Sequence, residues 1–307
     1  MNSDQEYMQR CLQLAANGLG RVRPNPLVGC VIVKDGVIVS EGYHQEYGHN
    51  HAERNAILNS QSSVLDSTLY VNLEPCSHQG LTPPCADLII EKGIRKVVCC
   101  NDDPNPLVAG KGFAKLEAAG IEVVRHILED EGRKLNRRFF TFMERQRPYI
   151  ILKWAQTSDG FMAPEGRRNY WISSQRQNIL NHRWRSEEAA ILIGSQTYID
   201  DKPQLTTRHY NGLNPTPIVL DRRCRLKDVP NHWLHLHSAT LDEVMRQLFD
   251  LKIQSVIVEG GRTVLDSFIS EGLYDEIRIL RSPVTYGAGL QAPDISSLDK
   301  TRIQFFD

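Results

Sequence analysis

Residues 68–99 read TLYVNLEPCSHQGLTPPCADLIIEKGIRKVVC, and this stretch decides the fold of the first half of the chain. Thr68–Leu73 and Arg95–Cys99 are apolar, β-branched runs that predict strands, and residues 83–92 between them predict a helix. A strand, a helix and a further strand in this order are typical of a layered α/β domain with parallel strands.

The residues on either side of this stretch continue the alternation of helix and strand. A hairpin is predicted on the N-terminal side, since Leu27–Val33 and Val37–Gly42 are joined by Lys34-Asp35-Gly36, whose Asp-Gly pair favours a tight turn. The other predicted elements of this half are helices over 3–18, 51–60, 110–119 and 127–145 and a strand over 121–124. Apart from the hairpin, we expect the strands to be parallel.

A boundary is predicted at Arg147, because charge density peaks over residues 144–147 and Pro148 follows. The second half is again α/β, and the prediction is of two domains, 1–146 and 147–307, in a chain of 307 residues. Its predicted strands cover 149–154, 190–194, 217–220, 255–258 and 276–280, and its predicted helices cover 174–186, 241–250 and 262–270.

The charge balance excludes a broad electrostatic grip on nucleic acid or on an anionic membrane. Lys and Arg number 36 and Asp and Glu number 37, which gives a formal net charge of −1. No apolar run approaches the roughly 18–20 residues of a membrane span, and the polar start at Met1 does not resemble a signal peptide. We therefore expect a soluble cytoplasmic protein without a nucleic-acid or membrane partner.

Seven cysteines in such a chain predict reduced thiols, most of them buried as apolar fillers. Cys76 and Cys85 stand apart, because prolines and a glycine surround them in a polar loop. Together with His51 they offer one imidazole and two thiolates, a set that suits tetrahedral zinc with an open fourth position. Water bound there would ionise near neutral pH, and Glu53, two residues from His51, would carry the proton to a leaving amine.

Several alternatives stay open from the residues alone. The histidine and the cysteines could coincide by chance, or the zinc could be purely structural, although a structural site needs no Glu53. His78 is either a further ligand or a substrate contact, and we favour the contact. His44 and His49 are surface groups or pocket groups. A nucleic-acid base editor is disfavoured by the neutral charge.

Motifs in both halves resemble those of the bifunctional deaminase–reductase family of riboflavin biosynthesis. In the first half they are Arg23-Pro24-Asn25-Pro26-Leu27-Val28-Gly29, His51-Ala52-Glu53, Glu74-Pro75-Cys76-Ser77-His78, Thr82-Pro83-Pro84-Cys85-Ala86 and Asp103-Pro104-Asn105-Pro106. In the second half they are Lys153-x-Ala155, Asp159-Gly160, Trp171-Ile172-Ser173, Asp201-x-Pro203-x-Leu205 and Val258-Glu259-Gly260-Gly261.

The resemblance implies a cytidine-deaminase-like three-layer domain followed by a dihydrofolate-reductase-like α/β domain. The first would deaminate 2,5-diamino-6-ribosylaminopyrimidinone 5′-phosphate, and the second would use NADPH to reduce the ribosyl group to a ribityl chain. By motif match, His51, Cys76 and Cys85 bind zinc, Glu53 is the acid and base, and Asn25 and His78 contact the substrate.

The resemblance also assigns residues in the second half, where the residues alone are less specific. By themselves, Gly260-Gly261 fit an ordinary turn or a phosphate site at a helix start, and Arg185 and Arg208 fit surface arginines or a phosphate clamp. Carried over by motif, Lys153 and Asp201 are catalytic candidates. The implied NADPH site consists of Ala155, Trp171, Thr197, Asp201 and Gly261. The implied substrate site consists of Asn169, Arg185, Leu205, Arg208 and Glu259.

The chain departs from the family pattern at three points. Leu81 occupies a position where the family commonly has a basic residue beside the substrate phosphate, and Asn169 stands where it often has Ser. The segment between Arg208 and Glu259 is shorter than is usual in the family. An alternative is therefore a deaminase alone, with a second domain kept for binding or assembly. The expected partners are the phosphorylated pyrimidine and further copies of the chain in a homo-oligomer.

Overall fold

The computed structural model describes residues 3–166 and 172–307. The chain divides into two compact units, Met1–Arg145 and Gln146–Asp307. Among the described residues, no helix combines the length and the apolar character needed to cross a membrane.

The first unit is a five-stranded sheet between two layers of helices. Its strand order is β2-β1-β3-β4-β5; β1 is antiparallel to both β2 and β3, and the remaining pairs are parallel. The expectation of parallel strands outside the hairpin is therefore wrong for the β1–β3 pair. In chain order, its elements are α1 (Ser3–Ala16), β1 (Gly29–Lys34), β2 (Val37–Tyr43), α2 (Ala52–Asn59), β3 (Thr68–Leu73), α3 (Cys85–Glu91), β4 (Lys96–Asn101), α4 (Lys111–Ala118), β5 (Glu122–Val124), α5 (Glu129–Leu135) and α6 (Arg137–Arg145).

Alternating side chains of the central strands build two cores in the first unit. Leu69 and Val71 of β3 pack with α2, α3 and α4 on one face, whereas Tyr70 packs with α1 on the other face. Both faces of β3 are apolar because helices cover both of them, which explains its unbroken hydrophobic run. The predicted three-layer α/β fold is confirmed for this half.

The single helix predicted over 127–145 is wrong, because the chain forms α5 and α6 with Asn136 between them. The Asn136 side chain is buried, accepts a hydrogen bond from the Leu27 amide (2.8 Å) and donates one to the Leu27 carbonyl (2.8 Å). These two bonds satisfy the backbone of the loop before β1. A helical periodicity cannot reveal a partner that is more than a hundred residues away.

The second unit is built on a seven-stranded sheet in the order β10-β9-β8-β11-β6-β12-β14, and every pairing in it is parallel. A separate antiparallel pair joins β7 and β13. In chain order, the elements are β6 (Tyr149–Thr157), β7 (Phe161–Pro164), α7 (Gln175–Glu187), β8 (Ala190–Gly194), α8 (Ser195–Asp201), β9 (Thr216–Leu220), β10 (Leu234–Leu236), α9 (Leu241–Asp250), β11 (Ser255–Val258), α10 (Arg262–Ser270), β12 (Glu276–Ser282), β13 (Gly289–Gln291) and β14 (Ile303–Phe306).

The two faces of this sheet also carry separate cores. Ile150 and Leu152 of β6 pack into the core on one face, and Tyr149 and Ile151 pack into the core on the other. In parallel sheets, ligands bind at the carboxyl ends of the strands. Each loop that leaves the carboxyl end of β6, β8, β9 or β11 is therefore a candidate for carrying site residues.

Candidate active sites

The first unit brings His51, Cys76 and Cys85 together at the starts of two helices. His51 is the N-cap of α2, Cys76 follows β3, and Cys85 is the first residue of α3. The Nδ1 atom of His51 lies 3.5 Å from Sγ of Cys76 and 3.5 Å from Sγ of Cys85. The three ligand atoms all lie within 4.8 Å of one another.

These distances fit zinc. With Zn–N and Zn–S bonds of about 2.05 and 2.3 Å, a tetrahedral ion separates its nitrogen and sulfur ligands by about 3.6 Å. His78 is not part of the cluster, so the cluster contributes three ligands. Three protein ligands leave the fourth position of a tetrahedral ion for water or substrate, which is the arrangement of a catalytic site.

The surroundings of the cluster act differently on its two thiols. Hydrogen bonds from Cys85 and His51 lower the pKa of Cys76 to about 4, whereas the bond to Cys76 and burial raise the pKa of Cys85. The Cys85 amide also points at Cys76 Sγ, at 3.4 Å. Backbone N–H groups at a helix start favour a thiolate, so the N-terminus of α3 stabilises the charge that a metal requires.

Glu53 lies in the first turn of α2 and is only 3% exposed. Burial raises its pKa above the ordinary value, and its carboxyl interacts with Cys85. A raised pKa makes a carboxyl group a better proton acceptor, and the same group can return the proton afterwards.

His44 is buried beside His51, which excludes the surface position that the sequence had left open for it. It is 2% exposed, and its ring meets that of His51 edge to face with 5.5 Å between centroids. Its Nδ1 lies 3.0 Å from the Asn50 carbonyl and its Nε2 lies 3.1 Å from Nδ2 of Asn25. Burial lowers the pKa of His44, so the neutral imidazole donates through Nδ1 and accepts the Asn25 amide through Nε2.

The loop between the two cysteines carries His78 and Leu81. The Nδ1 atom of His78 is buried and has no hydrogen-bond partner within residues 3–166 or 172–307, which makes it a candidate for a ligand contact. Leu81 is 75% exposed, so it contributes no packing to the unit.

Glu74 fixes the next loop of this site, and sequence reasoning had placed it only within a motif. It is buried and accepts hydrogen bonds from the amides of Gly112 (2.9 Å) and Gly110 (3.0 Å). A Cβ at Gly112 would collide with the Pro75 carbonyl, so glycine allows α4 to start against the segment that carries Cys76. Asp103 lies in the same loop, where burial raises its pKa to about 7.

In the second unit, Lys153, Arg185 and Glu259 form a nearly buried ion cluster. Arg185 donates from Nε and Nη2 to the two carboxylate oxygens of Glu259, at 2.9 and 2.8 Å. Lys153 Nζ lies 3.6 Å from Glu259 Oε2. Although burial opposes ionisation of Glu259, the two cations bring its pKa down to about 2. Burial lowers the pKa of Lys153.

A cavity of about 990 Å³ opens beside this cluster, at the carboxyl ends of β8, β9 and β11. Its lining includes seven of the residues that the resemblance assigns to this half: Arg185, Thr197, Asp201, Leu205, Arg208, Glu259 and Gly261. A smaller cavity of about 220 Å³ is lined by Lys153 and Ala155 and shares Met162, Glu259 and Gly260 with the first. Asn169 and Trp171 lie outside the described residues.

The cavity has the groups that a dinucleotide needs. Gly261 is the N-cap of α10, and its amide donates to Thr197 Oγ1 at 2.9 Å. Arg222 and Arg223 also line the cavity, and its volume lies at the upper end of the range for ligand sites. A helix N-terminus with arginines nearby is suited to binding phosphate groups. The residues present therefore fit NADPH.

The structure distinguishes among the assigned residues. Leu205 lines the cavity, but its side chain is buried in the apolar core of this unit, and its φ is 53°. Arg185 is bound to Glu259 and to the Thr206 carbonyl, whereas Arg208 is exposed. Asp201 ends α8 and lines the larger cavity, apart from Lys153 in the smaller one.

Sequence reasoning missed Asn181 and His182 on α7. Both line the larger cavity, and Asn181 Oδ1 and His182 Nδ1 are buried without a hydrogen-bond partner in the described part of the chain. Burial, followed by the charges of nearby arginines, lowers the pKa of His182 to about 4. The spacing along α7 could have pointed to Asn181 as a cavity residue. It lies four residues before Arg185 and therefore on the same face of the helix.

Comparison with known proteins agrees with both sites. Residues 1–101 match the zinc-binding region of cytidine and deoxycytidylate deaminases, and residues 148–305 match the RibD C-terminal domain. The riboflavin biosynthesis protein RibD of Aquifex aeolicus is 40% identical over 321 residues, which cover 95% of this chain and 90% of that protein. The RibD protein of Escherichia coli is 36% identical over 329 residues, covering 93% and 89%.

Two solved structures are similar over nearly the whole chain. One is a diaminohydroxyphosphoribosylaminopyrimidine deaminase/5-amino-6-(5-phosphoribosylamino)uracil reductase from Thermotoga maritima, with TM-score 0.88, 37% identity and coverage of 97% and 93%. The other is RibD of Acinetobacter baumannii, with TM-score 0.89, 34% identity and coverage of 96% and 92%. The chain therefore belongs to the RibD family and is a bifunctional enzyme of riboflavin biosynthesis that combines a zinc-dependent deaminase with an NADPH-dependent reductase.

Proposed function

We propose that the chain deaminates 2,5-diamino-6-ribosylamino-4(3H)-pyrimidinone 5′-phosphate and then reduces its ribosyl group to a ribityl chain. The deaminase is assigned to residues 1–146 and the reductase to residues 147–307. The observation that carries the first reaction is the triangle of His51, Cys76 and Cys85 with buried Glu53 beside it. The ion cluster next to a large cavity supports the second reaction.

In the deaminase, His51, Cys76 and Cys85 hold zinc, which when bound lowers the pKa of water to about 7. Glu53 takes a proton from the attacking water and delivers it to the departing amine. Its burial suits this task, because a carboxyl with a raised pKa is a better proton acceptor and can return the proton afterwards. Glu53 is held by α2 two residues after His51, so the base and the metal ligand share one rigid helix start.

Asn25 and His78 recognise the substrate of the deaminase. His44 turns the amide nitrogen of Asn25 towards itself, so the amide oxygen is the atom that remains for an amino group of the pyrimidine. His78 offers Nδ1 from the loop between the cysteines. Leu81 gives that loop no cation for the phosphate, and a charge-assisted hydrogen bond at that position would contribute about 1.5–3 kcal/mol.

In the reductase, NADPH supplies the hydride, and Ala155, Thr197, Asp201 and Gly261 are assigned to its site together with Trp171. Lys153 polarises the ring-opened sugar, and Asp201 supplies a proton. Arg185 and Glu259 hold the Lys153 ammonium in place through the ion cluster, while Arg208 is the exposed cation for the substrate phosphate. Leu205 and Asn169 complete the assigned substrate site.

A paired assay tests both reactions on one preparation. With the diaminopyrimidine substrate we expect ammonia release, and with the deaminated product we expect oxidation of NADPH at 340 nm. Release of ammonia without any NADPH oxidation would instead favour a deaminase with a non-catalytic second domain. The gathering of the assigned residues around one cavity supports the two-reaction proposal.

We further propose a cytoplasmic homo-oligomer. All seven cysteines are free thiols, as expected for a reducing compartment. Val37 and Ile38 are 63% and 40% exposed on β2, an edge strand of the first sheet, which supports an interface between copies. Sedimentation equilibrium tests this proposal, and a mass equal to one chain at micromolar concentration would contradict the oligomer.

A further inference from the structure

A second cluster of metal-ligating side chains lies in the second unit, apart from the groups assigned to either reaction. It consists of Asp221, which follows β9, and His235 and His237, which lie in and directly after β10. β9 and β10 are parallel neighbours, with Leu220 opposite Leu236. Because parallel strands end at the same edge of a sheet, Asp221 and His237 leave the sheet side by side.

The distances within this cluster match those around a zinc ion. Asp221 Oδ2 lies 3.3 Å from His235 Nε2, and one ligand atom from each of the three residues lies within 4.8 Å of the others. A tetrahedral zinc ion separates its nitrogen and oxygen ligands by about 3.4 Å. The two imidazole rings pack against each other with 4.1 Å between centroids, and His237 Nδ1 also lies 3.3 Å from the Asp221 carbonyl oxygen, so ion binding requires His237 to turn from this carbonyl towards the ion.

The Asp221 carboxylate gives an independent indication of a missing cation. Its side chain is completely buried; Oδ2 accepts from the Leu226 amide at 2.9 Å and faces His235. Its other oxygen, Oδ1, is buried without a hydrogen bond of good geometry in residues 3–166 and 172–307, although the Ser195 side chain and the Arg225 amide also interact with the carboxylate. A buried carboxylate oxygen without a well-formed hydrogen bond is costly, and a cation bound between Asp221 and the two imidazoles compensates that cost.

Cys224 lies beside this cluster, but its Sγ is outside the group of ligand atoms that lie within 4.8 Å of one another, so it reaches the ion only when its exposed side chain rotates. The sequence predicts most cysteines as buried fillers, and Cys224 departs from this expectation because it is exposed. Its Sγ lies 3.5 Å from His237 Nδ1, close to the spacing of about 3.6 Å between sulfur and nitrogen on zinc. Its φ of 50° is rare for a residue with a side chain.

We propose that Asp221, Cys224, His235 and His237 bind a second zinc ion, which fastens the loop after β9 to β10. One carboxylate, one thiolate and two imidazoles are ligands that zinc accepts, and four protein ligands make a closed, structural site. The fastened loop also carries Arg222, Arg223 and Arg225 into the lining of the reductase cavity. Arg225 donates to Gln196 Oε1 at 2.9 Å and to Ser195 Oγ at 2.8 Å. The ion therefore positions cationic side chains of the reductase and takes no part in hydride transfer.

The zinc content of the untagged full-length chain tests the proposal. After dialysis against a buffer that holds free zinc at nanomolar concentration, we expect mass spectrometry of the metal to give two zinc ions per chain. The double variant His235→Ala, His237→Ala should retain one. The matched control His232→Ala, an exposed histidine on the same loop, should retain two. One zinc ion in the unaltered chain, or two in the double variant, would overturn the proposal.

A second measurement shows whether loss of the ion is local. The double variant should release ammonia at the unaltered rate and keep the kcat for NADPH oxidation, whereas its KM for NADPH should rise several-fold because the arginines are no longer held. Unchanged KM in a variant that has lost one zinc ion would overturn the positioning role. If the double variant loses both its kcat and its thermal unfolding transition, it is misfolded. The single variant Cys224→Ser then provides the test of the second zinc site.

Cys224→Ser removes only the sulfur ligand. Loaded with cobalt(II), the variant should lose part of the thiolate-to-cobalt absorption near the ultraviolet and keep the part that comes from Cys76 and Cys85. Its affinity for the second ion should fall at least about tenfold. Mutation of a group that only hydrogen-bonds to a metal ligand already lowers metal affinity by about that factor. An unchanged absorption spectrum and affinity would overturn the assignment of Cys224.

Discussion

The two active sites differ in how they compensate charge. The site of the first unit gathers thiolates and an imidazole at helix starts, and it is completed by a cation from solution. The site of the second unit contains its own cations, because Lys153 and Arg185 surround Glu259. The first arrangement leaves a reactive position open, whereas the second is a closed set of ion pairs at the edge of a cavity.

The two sites should therefore respond differently to the loss of a charged side chain. The charges that act on Glu53 come from His51 and Cys76 of the metal cluster, so we expect loss of the Glu53 carboxylate to remove chemistry and to leave the fold of the unit intact. Loss of one member of a buried ion cluster leaves another charge uncompensated, which costs more than the cluster contributes. We therefore expect catalytic effects in the first unit and effects on stability in the second.

The largest effect is expected for Glu53→Gln, because the amide cannot carry the proton. Ammonia release should fall by about 10²–10⁴-fold, while zinc content and NADPH oxidation with the deaminated product stay unchanged. The exposed Glu6→Gln on α1 is the matched control. Retained ammonia release in Glu53→Gln would refute the role of this carboxyl and the contrast between the sites.

Glu259→Gln should destabilise the second unit by about 3–5 kcal/mol, since it leaves Arg185 and Lys153 buried without their carboxylate. All four tryptophans of the chain lie after residue 146, so the urea dependence of tryptophan fluorescence reports on this unit alone. The exposed Glu271→Gln provides the control. An equal midpoint for the two variants would show that the cluster does not stabilise the fold.

Gly112→Ala tests how the first site is positioned. The added methyl group meets the Pro75 carbonyl and displaces the segment that carries Cys76, at a cost of about 1–3 kcal/mol. The temperature at which the ammonia-releasing activity is lost should fall, while tryptophan fluorescence is unaffected. The control is Glu117→Ala, at an exposed position on the same helix. An equal fall in the inactivation temperature of this control would show that Gly112 has no particular role in positioning the site.

Acid should weaken the second unit through Glu259. Its folded pKa of about 2 lies below the ordinary 4.5, so its contribution is complete above pH 4.5 and is lost as the pH falls towards 2. Between pH 6 and pH 3 this group alone accounts for a loss of roughly 2 kcal/mol. Urea titrations of the unaltered chain and of Glu259→Gln should differ by this amount in their pH dependence. Parallel curves would contradict the assigned pKa.

Local patterns predicted most elements of the fold. The apolar runs of β3, β4, β6 and β11 are strands as expected, since parallel strands covered on both faces are apolar throughout. The break between α5 and α6 was not predictable, because the two hydrogen bonds of Asn136 with Leu27 form only after distant segments have packed. Short elements such as β10 carry too few residues for a period to be visible.

The first site could be predicted further than the second. His51 and Glu53 belong to one short motif, and Cys76 and Cys85 stand at the two ends of one loop. The distances between the three ligand atoms agree with those expected around a zinc ion. In the second site, residue types alone did not separate Arg185 from an ordinary surface arginine. Asn181 and His182 went unnoticed because their buried, unpartnered atoms become visible only when α7 lies beside the cavity.

Short segments of the sequence predicted the two α/β halves, the RibD-like motifs and the grouping of His51, Cys76 and Cys85 as a zinc site, because periodicity and motif spacing are properties of short segments. The tertiary structure decided which distant side chains meet. Arg185 and Glu259 are 74 positions apart, and the order of strands in the sheet brings them to 2.8 Å. The same order places Asp221 beside His235 and His237. Such pairings depend on how strands align, and no local pattern encodes that alignment.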